Sequence, residues 1–324
     1  MGDDGRYVLG VDLGGTKIAF GLVDTAGRVI HQLVVPTRPE DGTSTVIGRI
    51  VGGIDEVAGL AGGRGVIRGI GIAAPGVLDV QAGRVIFAPN LHWRDVPVCE
   101  TLRRELKLPL FLENDANAAA LGEKYFGAGQ GIDDLLYITI STGIGGGLIL
   151  GGQVYRGCHG NAGEIGHMVL EPEGPVCGCG NRGCWEAVAS GRAIASRAAE
   201  RIAAGQPSAL GEVLRRGREL TAVDVAAAAQ AGDGLAREIL RTTVRYVGLG
   251  VASLVTVFDP EMVILGGGVS RIGDSLLCTV TEVVRQRTLP TAGGDVRIVL
   301  SALQDAAGVV GAAAVAFSRL GILE

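Results

Sequence analysis

Four residues within eighteen positions carry the plainest chemistry in this sequence: His167, Cys177, Cys179 and Cys184. One imidazole and three thiolates complete a tetrahedral zinc shell. A catalytic zinc keeps one position open for water, so a shell closed by four protein ligands gives the metal a structural role. The competing reading is ordinary core cysteines, since free Cys buries well. The surroundings argue against it. The ligands stand in a stretch rich in Gly, Pro and Asn, and half of the chain's six cysteines are here. Gly178, Gly180 and Gly183 fall between the cysteines, where a chain wrapping a metal is expected to need positive φ. A disulfide across Cys177-Gly-Cys179 would be strained by the closeness of its two Cα atoms. Cys99, Cys158 and Cys278 are scattered and read as buried or near-surface thiols. Glu164 and Glu186 flank the ligands, so the folded loop should hold two carboxylates near one histidine. Thiolate ligands must stay reduced, which points to a cytoplasmic setting.

A second set of residues could handle phosphate. Asp12 precedes Gly14-Gly15-Thr16-Lys17, between two β-rich runs. Glycines free backbone N–H groups to cradle phosphate, and Thr and Lys add donors. The Walker spacing is absent, so the bland alternative is a hairpin turn. The turn Ser141 to Gly147, with Thr142 beside Gly143, repeats the arrangement. Gly266-Gly267-Gly268 ends a third apolar run, and three such turns favour a nucleotide. A formal G-x-G-x-x-G at Gly178, Gly180 and Gly183 lies in the ligand loop with no strand before it, so no dinucleotide site is read there. Gly69-Ile-Gly71 sits inside a predicted strand and fails the same test. Asn114-Asp115 stands where a strand meets a helix. Capping alone would explain the pair. A helix N-terminus also keeps a carboxylate ionised, as a general base for a hydroxyl attacking phosphorus requires.

These residues need elements to hold them. The chain's 324 residues are enough for two domains with substantial cores. Tyr7 to Asp12 and Ile18 to Val23 read as strands around the first turn, and Leu135 to Ile140 and Leu148 to Leu150 around the second. This echo suggests two related α/β domains. Helices are expected over Thr43 to Leu60, Pro97 to Leu106, Ala116 to Phe126 (stopped by Gly127), Ser275 to Arg287 and Ala306 to Leu320, with mainly helical chain from Ser190 to Phe258. Strands are expected over Val66 to Ala73, Leu110 to Leu112, Met262 to Leu265 and Val296 to Leu300. The alternation implies an α/β architecture. The expected division is a small domain of residues 1–118 plus the C-terminal helix 306–324, and a large domain of residues 119–305. Net charge is −5 with no basic cluster, which argues against nucleic-acid binding. The opening Met1-Gly-Asp-Asp is no signal peptide. The uncharged run Leu135 to Tyr155 is broken by six glycines, so it reads as strand–turn–strand and not as a membrane span.

Five segments occur in one order: Asp12-Leu-Gly-Gly-Thr-Lys17, Glu113-Asn-Asp-Ala-Asn117, Thr142-Gly-Ile-Gly-Gly146, Gly163-Glu-Ile-Gly-His167 and Cys177-Gly-Cys-Gly-Asn-Arg-Gly-Cys-Trp-Glu186. Together they resemble the ROK family (repressors, open reading frames, kinases) of sugar kinases, and the cysteine segment most resembles its bacterial glucose-phosphorylating members. The resemblance implies a two-domain actin-like ATPase fold (hexokinase or ribonuclease H-like) with a ligand cleft between domains, ATP with Mg²⁺, and a structural Zn²⁺. It implies Asp115 as general base on the sugar 6-hydroxyl, and Asn90, Asn114, Glu164, His167 and Glu186 as hydroxyl partners, with Gly76 close by. His167 would put one ring nitrogen on zinc and the other toward the sugar. Gly14, Gly15, Thr16, Lys17, Thr142 and Gly143 would surround the phosphates, Gly266 to Gly268 the nucleoside, and Asp12 would hold the Mg²⁺ shell. Other hexoses or N-acetylmannosamine remain alternatives to glucose, and the Trp185 context leans toward glucose. A homodimer or homotetramer is implied. Sugar-responsive repressors of this family carry a helix-turn-helix ahead of the first turn; Asp12 comes early for one, so a repressor lacking its DNA-binding domain is the less favoured expectation. His31, His92 and His159 lack a partner pattern and read as surface or packing residues.

Overall fold

The computed structural model describes residues 7–323, so the acidic opening Met1-Gly-Asp-Asp lies outside the described residues. In chain order the strands and helices are β1 (Tyr7–Leu13), β2 (Lys17–Val23), β3 (Val29–Pro36), α1 (Thr43–Leu60), β4 (Ile67–Ala74), β5 (Val77–Asp79), β6 (Arg84–Ala88) and β7 (Trp93–Val96). Next come α2 (Val98–Leu106), β8 (Leu110–Asn114), α3 (Asp115–Phe126), β9 (Leu135–Ile140), β10 (Ile144–Leu150), β11 (Gln153–Val154), α4 (Trp185–Ala189), α5 (Gly191–Ala203) and α6 (Gly211–Arg215). The chain ends with α7 (Ala222–Gln230), α8 (Gly234–Phe258), β12 (Met262–Gly266), α9 (Asp274–Arg287), α10 (Pro290–Gly293), β13 (Arg297–Leu300) and α11 (Ala307–Arg319). No helix among the described residues is long and apolar enough to cross a membrane.

Two five-stranded sheets have the same plan. The first runs β3-β2-β1-β4-β8 and the second β11-β10-β9-β12-β13. In the first, β1 and β2 form an antiparallel hairpin, while β1, β4 and β8 run parallel. In the second, β12 lies parallel between β9 and β13. The echo in the sequence is thus an echo of topology. Central strands are buried almost throughout, whereas edge strand β3 alternates half-buried and exposed positions, as one covered face dictates. The short sheet β5-β6-β7 has no counterpart among the sequence-based expectations, because its strands are brief and carry little apolar alternation.

The chain forms two compact units: residues 7–133, 147–163 and 301–323 of the described chain, and residues 134–146 with 164–300. A division at residue 118 would cut through α3. That helix stays whole in the first unit because α11 meets it closely: a Cβ at Gly311 would lie 2.4 Å from the Ala118 carbonyl oxygen.

In the first unit α11 rests on the sheet backbone itself. A Cβ at Gly10 would lie 2.1 Å from the Val309 carbonyl oxygen, and one at Gly71 would lie 1.7 Å from that of Ala312. Gly71, one half of the rejected Gly69-Ile-Gly71 pattern, is therefore a helix-seating glycine. On the other side α1 buries Val46, Ile47, Ile50, Ile54 and Val57, the stripe expected of a one-faced helix.

Substituting Gly71→Ala should lower stability by about 3 kcal/mol through overpacking. Gly52→Ala, at a helical site with nothing within 4 Å, should raise it by about 0.5–1 kcal/mol. Urea unfolding midpoints measure both, and equal midpoints would contradict the direct seating of α11.

Candidate functional site

The second unit holds the four nitrogen and sulfur donors. Their ligand atoms all lie within 4.8 Å of one another. Cys177 Sγ is 3.7 Å from His167 Nδ1, and Cys179 Sγ is 3.7 Å from Cys184 Sγ. Ligands about 2.3 Å from a tetrahedral zinc stand about 3.8 Å apart, so the donor spacing fits that ion. Burial pushes the Cys184 thiol up to about 12 and also raises Cys177, while the Asn181 backbone N–H lowers Cys179. Taking up a metal must then release protons from this set.

Local backbone geometry shapes the loop. Gly180 and Gly183 have φ of 93° and 68°. A Cβ at Gly183 would lie 1.5 Å from the Glu171 carbonyl oxygen. Gly178 does not have positive φ and its Cβ position is open, so the expectation of three left-handed glycines holds for two. The loop closes through Cys177 N–H to Asn181 O at 2.7 Å and Trp185 N–H to Met168 O at 2.7 Å. Trp185 is fully buried, its indole against Gly250 of α8. Its contribution is packing at the start of α4.

With Nδ1 facing Cys177, the His167 ring turns Nε2 outward, 3.8 Å from Glu164 Oε2. Glu186, on α4, accepts the Ile144 N–H on Oε2 at 3.1 Å. A Cβ at Gly143 would lie 2.1 Å from that oxygen, and one at Gly166 would lie 2.1 Å from the Ile144 carbonyl. The second glycine turn, Glu164 to His167 and the cysteine loop thus meet in one unit. Gly191 N–H, at the start of α5, donates to Ser141 O at 2.7 Å. Gly267 has φ of 81° and leaves no room for a side chain above Ile140, whereas Gly268 faces open space.

The first unit holds the other candidates. Asn114 caps α3, its Oδ1 accepting from Ala116 N and Asn117 N at 3.0 and 3.3 Å. Asp115 follows as the first helical residue; it is exposed, with Oδ1 accepting from Ala116 N at 2.8 Å. Asn114 thus caps the helix while the Asp115 carboxylate stands in its first turn. Asp12 is raised above the usual carboxylate range by burial, with Lys17 acting in the opposite sense. A Cβ at Gly308 would lie 2.3 Å from Asp12 Oδ2, in the first turn of α11. In the first glycine turn Gly14 N–H is spent on Lys17 O at 3.0 Å, while Thr16 and Lys17 are exposed. Gly15 packs on Asn90: its Cβ would lie 2.9 Å from Asn90 Cβ and O. Gly76, with φ of 92°, sits over the Phe87 carbonyl.

Two supports escaped sequence reasoning. Thr37 is fully buried and pins the first turn, donating Oγ1–H to Gly14 O at 2.6 Å and N–H to Thr16 O at 2.9 Å. Glu113 is fully buried behind the Asn114-Asp115 pair. It accepts from Arg156 Nε at 3.1 Å, from Asn114 N at 3.2 Å and from Asn117 Nδ2 at 3.2 Å. The signal available was a carboxylate at the end of an apolar strand, which must find a cation when buried. Also unforeseen, His159 does have a partner: its Nδ1 is 2.9 Å from Cys158 Sγ.

A model of the ROK family matches residues 8–319, and the chain belongs to that family. It is 39% identical to the glucokinase of Thermotoga maritima over 97% of this chain and 98% of that one. It is 38% identical to the glucokinase of Halalkalibacterium halodurans over 94% of this chain and 93% of that one. Among solved structures, a ROK family glucokinase from Streptomyces griseus in complex with glucose and AMPPNP superposes with a TM-score of 0.81 at 38% identity. That match covers 95% of this chain and 98% of the other. The fold is the α/β architecture of the actin-like ATPases.

Removing one partner of a buried ion pair strands the other charge. Arg156→Ala should therefore cost about 3 kcal/mol of stability, and Arg156→Lys, which keeps the charge without the fork, should recover part of it. Thermal unfolding checks the order wild type, Lys, Ala. An Ala variant as stable as wild type would remove Arg156 from the support of Asn114 and Asp115.

Proposed function

We propose that this protein is an ATP-dependent glucokinase that phosphorylates the 6-hydroxyl of glucose. The observation that carries the reading is the near-full-length likeness, at 38% identity, to a glucokinase solved with glucose and AMPPNP. In this reading Asp115 is the general base, taking the proton as the hydroxyl oxygen attacks the γ-phosphorus of ATP. Its exposure at the start of α3 supports that role, since the helix N-terminus favours the ionised form. Asn90, Asn114, Glu164, His167 and Glu186 bind sugar hydroxyls, with Gly76 leaving room beside them. Carboxylates, amides and a neutral imidazole suit hydroxyls that both donate and accept. Gly14, Gly15, Thr16, Lys17, Thr142 and Gly143 receive the phosphates, and Gly266 to Gly268 approach the nucleoside.

Asp12 orients the water shell of the Mg²⁺ that accompanies ATP, a common task for a lone carboxylate. His167, Cys177, Cys179 and Cys184 would hold a structural Zn²⁺, and ligation of the His167 ring nitrogen that faces Cys177 would fix its tautomer and leave Nε2 for the sugar. The thiolate ligands fit a cytoplasmic home, and a homodimer or homotetramer is the assembly the family resemblance implies.

Asp115→Ala should lower kcat by at least about 10²-fold while calorimetry still detects glucose binding. Near-normal turnover would exclude Asp115 as the base. A coupled ADP-release assay over hexoses and N-acetylhexosamines should give its highest kcat/KM with glucose. A maximum with N-acetylmannosamine or another hexose would move the substrate, and no turnover across the panel would reject the kinase reading.

A further inference from the structure

The Glu186 carboxylate does more in this structure than face a ligand. Its Oε2 accepts the Ile144 N–H at 3.1 Å, and the space above Gly143 is filled by that same oxygen. Its Oε1 lies 3.8 Å from Cys177 Sγ, one of the four clustered donors. The turn it grips is short and internally closed, with Ser141 N–H donating to Gly143 O at 2.8 Å. Gly166 bears on the Ile144 carbonyl, and the Glu186 oxygen is the side-chain acceptor for the Ile144 N–H, which closes the Gly143–Ile144 peptide of the turn. A glycine at 143 is what admits the carboxylate: any Cβ there would displace it.

We infer that Glu186 is a positioning residue for the Ser141–Ile144 turn, and that through it the metal loop sets the affinity for nucleotide phosphates as well as for sugar. The inference rests on the proposal that this turn receives ATP phosphates. The sugar role given to Glu186 predicts an effect on glucose alone. The hydrogen bond to Ile144 predicts an effect on nucleotide with no sugar present. A turn whose amide end is released has more conformations to lose when phosphate binds, and affinity falls accordingly.

The test is calorimetry of Mg-AMPPNP without sugar on wild type, Glu186→Ala, Glu186→Gln and Gly143→Ala, with hydrogen exchange of the Ile144 amide followed in each. Glu186→Ala should weaken nucleotide binding about tenfold, the scale of one hydrogen bond to a charged group, and speed Ile144 exchange. Glu186→Gln keeps an amide oxygen for the Ile144 N–H and should stay within about threefold of wild type. Gly143→Ala leaves Glu186 in the chain but evicts its carboxylate, so it should match Glu186→Ala even if that variant folds poorly. Wild-type AMPPNP affinity and unchanged Ile144 exchange in both Glu186→Ala and Gly143→Ala would overturn the inference while leaving the glucokinase reading intact. A wild-type chain that binds no AMPPNP would instead overturn the nucleotide reading and the inference with it.

Discussion

Three cysteine sulfurs and an imidazole nitrogen within 4.8 Å of one another are a constraint that the second unit cannot satisfy by packing alone. Ionised, the three sulfurs would repel one another, and a cation held by the four donors would offset that repulsion. The consequences spread outward through short contacts. Nδ1 of His167 belongs to the cluster, so Nε2 is aimed away from it beside Glu164. Cys184 stands at the N-cap position of α4 without a side-chain capping bond, and two residues later Glu186 reaches the second glycine turn. Trp185 between them is locked under Gly250, which leaves α4 little freedom to re-aim its carboxylate. A staple between Tyr246 and Glu171, at 2.7 Å, ties the same loop to α8.

The first unit solves a different problem with different means. Its exposed polar groups stand on a frame of backbone-to-backbone approach, made by Gly10 and Gly71 under α11 and by Gly311 against α3. Asn114 and Asp115 project from the junction of β8 and α3. Behind them Glu113 gathers Arg156, Asn117 and the Asn114 amide. The buried ion pair is not a surplus of stability, since its desolvation offsets much of its attraction. Its effect is geometric: it defines where the helix starts, and hence where Asp115 stands.

Much of this was legible in the sequence because it is local. Apolar periodicity located α1 at Thr43–Leu60, the bounds the structure has. The spacing of one His and three Cys brought the donor cluster into view, and the order of glycine turns anticipated a repeated sheet plan. What could not be read is non-local. Arg156 meets Glu113 across 43 residues, and no window of sequence links them. Gly71 reads only as a residue inside a strand until α11 is laid over it. The left-handed role expected of Gly178 failed because the Cys177–Gly180 turn closes through Gly180 N–H to Cys177 O and leaves Gly178 unconstrained. None of the expected strands covers the sheet β5-β6-β7, whose strands are three to five residues long.

On the proposed function, a structural zinc would support from behind the residues that hold the sugar. The most direct measurement is glucose affinity by calorimetry on protein as purified, after removal of metal by a chelator under reducing conditions, and after return of one equivalent of Zn²⁺. The stripped protein should bind glucose at least about tenfold more weakly, as for loss of a support to the residues that hold a ligand, and binding should recover with Zn²⁺ but not Mg²⁺. Glucose affinity unchanged by stripping, in a protein shown by elemental analysis to hold no metal, would contradict it.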